Sequence, residues 1–477
     1  LQLICGSANG ILDNICSEDI VTFTGSAHTG RMLKSHPKII QEAVPFNMEA
    51  DSLNACILGE DAVPGTDEFD IFIKEVQREM TVKAGQKCTA IRRIIIPEKL
   101  VDDVSKTLSS KLKNVTIGDP AIEGVRMGSL AGRDQVIEVS EKVRELSNSQ
   151  SILYGNLDNF EVVGADKSRG AFISPILFLN EKPFEKTDCH EIEAFGPVST
   201  IIPYNDLDEA IELSRMGKGS LVCSIVTSDD KIAREFVLNS ASMHGRILIL
   251  NKDCSKESTG HGSPMPLLTH GGPGRAGGGE EMGGKRGIMH YLQRTAIQGH
   301  PTTLSKITNQ YQQGGKQEKA EIHVFRKYFE ELEIGETVFT DTHTVTLDNI
   351  EEFAEISGDK FYAHMDENSL EDTIFTERVA HGYYILSRAA GLFVDPPKGP
   401  VLLNYGIDEC RFTKPVYPGM TIAVRFTVKE KINQEKKSDD DIAKGIVKFL
   451  VDVYDENNET VMLATILTMI KKKNQEV

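Results

Sequence analysis

Cys88 lies at the centre of the run Gly85-Gln86-Lys87-Cys88, between a stretch of helical periodicity (Glu68 to Val82) and the β-branched run Ile91 to Pro97. Backbone amides at a Gly-containing turn can lower a thiol pKa and steady an oxyanion, so this cysteine is a candidate nucleophile. A solitary cysteine otherwise reads as a small buried hydrophobe, and the weight falls on its companions. Glu49 closes the short apolar run AVPFNME, a place where an isolated glutamate is ordinarily a solvated surface residue. A second chemistry-bearing segment is SGDKFYAHMD, which sets Asp359 and His364 five residues apart just after a helical pattern. An acid and an imidazole on one loop can share a water and move its protons. In VAHGYY, Gly382 opens an apolar helix and can aim its N–H at a thioester oxygen.

The elements that must position these groups fall into two textures. IVTFTG (20–25) reads as a parallel strand ending in Gly25, followed at once by a helix opened by Ser26. A strand, a Gly turn and a helix N-terminus make a phosphate site, because unpaired amides and the helix dipole face the turn. Between 98 and 230 helices alternate with short strands, an α/β pattern. HEIEAFGPVSTIIPY places Glu193 before the turn Phe195-Gly196-Pro197. The Gly-dense run 265–299 carries Arg275, Arg286, His290 and Tyr291 among its glycines, so it reads as an ordered loop at the mouth of the first site, then an oligomerisation strand in HYLQRTAIQ. The polar 301–321 reads as an interdomain linker. Beyond it the mostly apolar HGYYILSRAAGLFV suits a helix buried under a sheet formed by four later runs of strand texture.

The bulk numbers bound the class. With 477 residues the chain holds two or three domains, and a net charge of −18 argues against a nucleic-acid binder. No apolar run approaches the roughly 20 residues that cross a bilayer. The eight cysteines show no CxxC spacing and read as reduced thiols, pointing to the cytoplasm. No metal-ligand spacing stands out. The chain opens on LQLICGSANG, which looks like the middle of a fold and suggests a missing N-terminal piece.

FTGSxxxG (Phe23 to Gly30), Glu49, GQKC and ExFGPV (Glu193 to Val198) together resemble the aldehyde dehydrogenase superfamily in order and spacing. The resemblance implies Cys88 as nucleophile and Glu49 as general base. It puts Gly25, Ser26 and Gly30 at the cofactor phosphates, with Glu193 and Phe195 near the nicotinamide ribose; the cofactor is NADP or NAD. The usual Gly-Gly after the base is Ala50-Asp51 here, and the family's oxyanion Asn and first cofactor strands would lie upstream of Leu1. If the 477 residues were the whole polypeptide, little dehydrogenase activity would be expected. SGDxxxxH, AHG and FxxPVxPG (Phe412 to Gly419) resemble the MaoC-like, R-specific enoyl-CoA hydratase family. That implies Asp359 and His364 as the hydration pair and Gly382 as oxyanion donor; Phe361-Tyr362 replaces the usual Asn-Pro and favours a flat, cyclic acyl group.

The run HGGPGRAGGGEE is similar to the bifunctional branch that opens a ring in phenylacetate degradation. The fold class implied is a partial α/β aldehyde dehydrogenase fold followed by an α+β hot-dog domain. The divisions are 1–50 (remainder of the cofactor domain), 51–252 (catalytic domain), 253–300 (Gly-rich loop and oligomerisation strand), 301–321 (linker) and 322–477 (hydratase domain). The implied function is hydrolysis of oxepin-CoA, a CoA thioester, and NADP-dependent oxidation of the resulting 3-oxo-5,6-dehydrosuberyl-CoA semialdehyde. Arg275, Lys285, Arg286 and Arg294 are candidates to steer the anionic CoA. The resemblance further implies a homo-oligomer, a hexamer of domain-swapped dimers. Two alternatives stand beside it: a chain in which only the hydratase domain is active, and a CoA-ester-binding protein without turnover.

Overall fold

A computed structural model describes residues 2–6, 9–265, 268, 270–281 and 284–475. The chain divides into two compact units, Leu1–Gln293 and Arg294–Val477.

The first unit begins with β1 (Val21–Thr24), α1 (Ala27–Lys34), α2 (Pro37–Gln41) and β2 (Phe46–Glu49). β1 and β2 form a separate parallel pair. Next come β3 (Ala55–Leu58), α3 (Asp67–Thr81), β4 (Arg93–Pro97), α4 (Val101–Lys113), α5 (Arg133–Leu146), β5 (Ser151–Tyr154) and β6 (Ile176–Leu179). They are followed by β7 (Val198–Tyr204), α6 (Leu207–Arg215), β8 (Cys223–Val226), α7 (Asp230–Ser240) and β9 (Ile247–Leu250). The strands build one sheet in the order β5-β6-β7-β4-β3-β8-β9, parallel except at β5–β6. A parallel sheet is covered on both faces, so its strands are apolar throughout. In β3 the alternation sends Cys56 and Leu58 toward α3 and α4, and Ala55 and Ile57 toward α6 and α7. α3 starts where the Thr66 side chain accepts from Phe69 N–H, with Asp67, Glu68 and Asp70 favoured by the helix dipole. The unit closes with the two-residue strands β10 (His270–Gly271) and β11 (Glu280–Glu281) and with α8 (Gly284–His290).

The second unit contains α9 (Pro301–Thr308), β12 (Glu318–Lys319), β13 (Glu336–Phe339), β14 (His343–Thr344), α10 (Leu347–Ser357), α11 (Tyr362–Met365) and α12 (Gly382–Phe393). Four long strands complete it: β15 (Val401–Phe412), β16 (Thr421–Asn433), β17 (Lys444–Asp455) and β18 (Thr460–Lys471). Its sheet runs β12-β13-β16-β17-β18-β15, with β14 also on β16, and all its long-strand pairs are antiparallel. Ile385, Ala389 and Phe393 of α12 pack into the same core as Val424, Phe426 and Phe449 of the sheet. A long helix packed on one antiparallel sheet is the arrangement of a hot-dog domain.

Three expectations are corrected. Residues 301–321 are not a linker: they contain α9 and β12, β12 pairs with β13, and Tyr311 is buried with its N–H on Lys429 O. Polar residues misled here because β12 is a short exposed edge strand. HYLQRTAIQ is not a strand; α8 runs to His290 and no strand follows through Gln298. A strand needs a ladder partner; none of the described strands of this chain supplies one, and an oligomerisation strand would take its partner from another copy. Helix α12 is covered on one face only, and Tyr383 is 69 % exposed.

Phe426 is sandwiched between Phe393 (ring centroids 4.2 Å apart) and Phe449 (4.4 Å) at the centre of the second core. Phe426→Ala should cost about 3–5 kcal/mol of that unit's stability, the usual range for a deleted core aromatic. Chemical denaturation followed by far-UV circular dichroism checks this; a loss under about 1 kcal/mol would mean the stack is not what holds helix to sheet.

Candidate active sites

In the first unit one cavity of about 570 Å³ is lined by Gly25, Ser26, Glu49, Asp51, Cys88, Glu193, Phe195 and Arg275, among others. Six of the seven residues expected around this site therefore share one wall. Gly30 does not. It is buried in α1, where a Cβ would meet Met48 Sδ at 2.3 Å, so its role is to let α1 lie against β2.

The Cys88 loop is built by an unusual backbone. Lys83, Ala84 and Gly85 have φ of 53°, 51° and 70°, three left-handed residues in a row that end α3 and swing the chain to Cys88. Gly85 is fixed by contact as well, since a Cβ there would sit 2.3 Å from Gly196 O. Gln86 Nε2 donates to Phe195 O (3.1 Å), and Arg92 donates to both Gly85 O (2.8 Å) and Gly196 O (2.5 Å). The GQKC and EAFGPV segments, more than a hundred residues apart, are thereby one construction. Asn54 Nδ2 donates to Cys88 O (2.8 Å) and holds the other side of the loop.

Glu49 ends β2 and is 6 % exposed. Its Oε2 lies 3.5 Å from His270 Nε2, and one ligand atom each of Glu49, Cys88 and His270 falls within 4.8 Å of the others. His270 was not expected; the only hint in the sequence is a polar residue heading the Gly-rich run. It arrives because the β10–β11 segment is stitched to β2: Asn47 Nδ2 donates to Glu280 O, Gly279 N–H to Met48 O and Ala50 N–H to Ala276 O.

The α1 N-terminus is capped by Ser26, whose Oγ accepts from Thr29 N–H. Ala27 N–H donates to Asp51 Oδ1 (2.6 Å), and Asp51 Oδ2 pairs with Arg275 at 2.7 Å. Arg275 also donates to His190 O and Glu191 O, so it is anchored at this cavity instead of forming an open steering patch. The group implied here is a nicotinamide cofactor, and the residues fit it. Ser26, His28 and Arg31 offer donors at a helix N-terminus for the diphosphate, the Asp51 charge is neutralised by Arg275, and Glu193 offers a carboxylate for ribose hydroxyls. Burial raises the Glu193 carboxyl from 4.5 to about 7, only partly countered by Arg92 at 3.5 Å.

In the second unit the Asp359 and His364 segment is pinned by residues outside the expected set. His381 Nε2 bonds Asp359 O (2.8 Å), and the His381 and His364 rings stack with centroids 3.7 Å apart. His364 Nδ1 bonds Val379 O (2.6 Å), leaving Nε2 for chemistry. Arg378 Nε donates to His364 O (2.6 Å) and its other arm pairs with Glu351. Burial lowers the His381 pKa, keeping that imidazole neutral. Gly382 follows His381 directly as the first residue of α12; a Cβ there would strike the Phe412 ring at 2.6 Å. Phe361 and Tyr362 form a pair (centroids 4.4 Å), with Phe361 edge-on to His364 at 6.1 Å.

Set against known proteins, residues 1–297 match the aldehyde dehydrogenase family and residues 330–448 the MaoC like domain. The chain is 48 % identical over 319 residues to Protein MaoC of Klebsiella aerogenes, covering 66 % of this chain and 93 % of that protein. It is 41 % identical over 273 residues to 3,4-dehydroadipyl-CoA semialdehyde dehydrogenase of Aromatoleum evansii, covering 57 % of this chain and 53 % of that one. Among solved structures, a betaine aldehyde dehydrogenase variant from Staphylococcus aureus in complex with NAD+ superposes with a TM-score of 0.51 at 21 % identity, over 58 % of this chain and 52 % of that one. This last likeness shows the fold alone. The chain spans roughly half the length of these last two proteins.

Because the folded Glu193 pKa is raised from 4.5 to about 7, its contribution to stability is complete below 4.5 and disappears as pH rises through 7. Glu193→Gln should therefore lose less thermal stability than the parent chain across that window. Equal slopes of melting temperature against pH would show that the buried carboxyl is not shifted.

Proposed function

Since the chain belongs to the aldehyde dehydrogenase family and carries a MaoC-like domain behind it, we propose that it hydrates and opens an oxepin-CoA ring and oxidises the aldehyde so formed, in phenylacetate catabolism. The observation that carries the dehydrogenase half is the convergence of Cys88, Glu49 and Glu193 on one cavity at a helix N-terminus. The ring-opening half is supported by Phe361 and Tyr362, which set two aromatic rings, tilted by 50°, beside His364.

In the second unit Asp359 and His364 share a water: its oxygen bonds to the β-carbon of the unsaturated thioester and a proton is returned to the α-carbon. Gly382 N–H, at the free end of α12, is aimed at the thioester oxygen that gains charge. The ring C–O bond of the hydrated carbon then breaks, leaving a ketone and an enol that tautomerises to the aldehyde. The product is 3-oxo-5,6-dehydrosuberyl-CoA semialdehyde. In the first unit the Cys88 sulfur adds to the aldehyde carbon to give a thiohemiacetal. The cofactor, NADP+ or NAD+, supplies the hydride acceptor when bound. Ser26, Arg31 and Glu193 hold and orient it. Glu49 takes a proton from the water that cleaves the Cys88 thioester, and the carboxylate leaves as the thiolate is restored. The protein acts as a cytoplasmic homo-oligomer on this reading; among the described residues no helix is long and apolar enough to cross a membrane.

Mass spectrometry of oxepin-CoA incubated with the chain, with and without NADP+, tests the proposal. Water addition without cofactor should fall about 10²–10⁴-fold in Asp359→Asn, the range lost with a general acid–base group. A further gain of one oxygen should appear only with NADP+ and vanish in Cys88→Ser. Release of the aldehyde with an unaltered rate in Asp359→Asn would overturn the hydratase assignment. Oxidation surviving in Cys88→Ser would overturn the other.

A further inference from the structure

We propose that Cys88, Glu49 and His270 also form a binding site for a single zinc ion, which reversibly closes the dehydrogenase cleft. The inference deepens the reading of that cleft and rests on Cys88 being a reachable thiol. A thiolate, an imidazole and a carboxylate are the ligand types zinc takes. Tetrahedral zinc with its usual bond lengths sets its ligands about 3.3–3.6 Å apart. The Glu49–His270 separation of 3.5 Å is already such an edge, and all three ligand atoms lie within 4.8 Å of one another. Closing the triangle on Cys88 takes a movement on the scale of one side-chain rotation.

One further observation favours an ion here. His270 Nδ1 is buried without a hydrogen-bond partner among the described residues, and it is Nε2 that faces Glu49 as the ligand atom. The imidazole is also held in place from behind, because Gly279 N–H and Ala50 N–H lock the Gly-rich segment to β2. Three protein ligands leave a fourth position that can hold water, and two of them, Glu49 and Cys88, line the cavity of about 570 Å³. Binding displaces the Cys88 thiol proton, with no change of oxidation state. The sulfur is then tied to the metal and Glu49 no longer accepts a proton from water.

A second group, Asp359, His364 and His381, also brings its ligand atoms within 4.8 Å. Its imidazoles, however, stack with centroids 3.7 Å apart and 28° between planes. The lone pairs lie in the ring planes, so stacked rings point them side by side and not at a common ion. That cluster serves as the internal control.

The test uses the whole chain with cobalt(II) as a spectroscopic probe and zinc(II) in competition with a chromophoric chelator. One equivalent should bind, with a thiolate-to-cobalt charge-transfer band that is absent in Cys88→Ser. Zinc affinity should fall at least tenfold in His270→Gln and in Glu49→Gln, while Asp359→Asn leaves it unchanged. Zinc should also slow alkylation of Cys88, and a chelator should restore it. No thiolate band, or equal affinity in His270→Gln with its melting temperature retained, would overturn the site; loss of binding in Asp359→Asn would move it to the second unit. These readouts do not use aldehyde oxidation, so a chain that binds zinc but oxidises nothing would count against the proposed function and not against this site.

Discussion

The first unit depends on one buried guanidinium. Arg92 is 4 % exposed and donates to the carbonyls of Gly85 and Gly196 while facing Glu193. Burying a charge away from water is expensive unless its donors are taken up. Here the uptake ties two segments together, because the two acceptors belong to the Cys88 loop and to the loop carrying Glu193. The left-handed run Lys83–Gly85 would cost energy on its own; Arg92 and the close approach of Gly196 hold it in place. Removal of that side chain would leave two loops free to part, and Cys88 with them.

Arg93 next door does the same for the opposite layer. Successive strand residues point to opposite faces, so Arg93 turns away from Cys88 and donates to Leu53 O, Leu213 O and Ser214 O. Burial pulls its pKa down to about 10, which still leaves it charged at neutral pH. Arg92, just before β4, and Arg93, its first residue, thus brace the Cys88 loop on one side and a packed helix on the other. The second unit solves the same problem with stacked rings and backbone acceptors: His381 and Arg378 hold the carbonyls of Asp359 and His364.

Much of this was legible in the chain. The helix expected over Glu68 to Val82 is α3 over Asp67–Thr81, and the helix expected to follow Ser26 starts one residue after it. The motif residues Cys88, Glu49, Glu193 and Gly25 meet in one cavity, because their spacing follows a fold that brings strand ends together. What escaped were groups whose role exists only through a distant partner. Arg92 and Arg93 read as part of a β-branched run; nothing local says that carbonyls from residues 85, 196 and 213 will face them. His381 stood in plain view beside Gly382, yet its acceptor is a backbone oxygen 22 positions away. Edge strand β12 was lost in a polar stretch because an exposed two-residue strand leaves no alternation to read.

The Gly-rich segment shows why composition alone misjudges such a run. A glycine tract is by default a flexible spacer, but a tract is rigid when each missing Cβ is demanded by a neighbouring backbone. A Cβ on Gly279 would lie 2.5 Å from Met48 O, and one on Gly245 would lie 1.6 Å from Gly271 O. Such glycines let this segment reach β2 and the chain just before β9 at backbone contact distance. That approach carries His270 to Glu49 and Arg275 to Asp51. The absence of side chains in the tract is what places two functional side chains at the site.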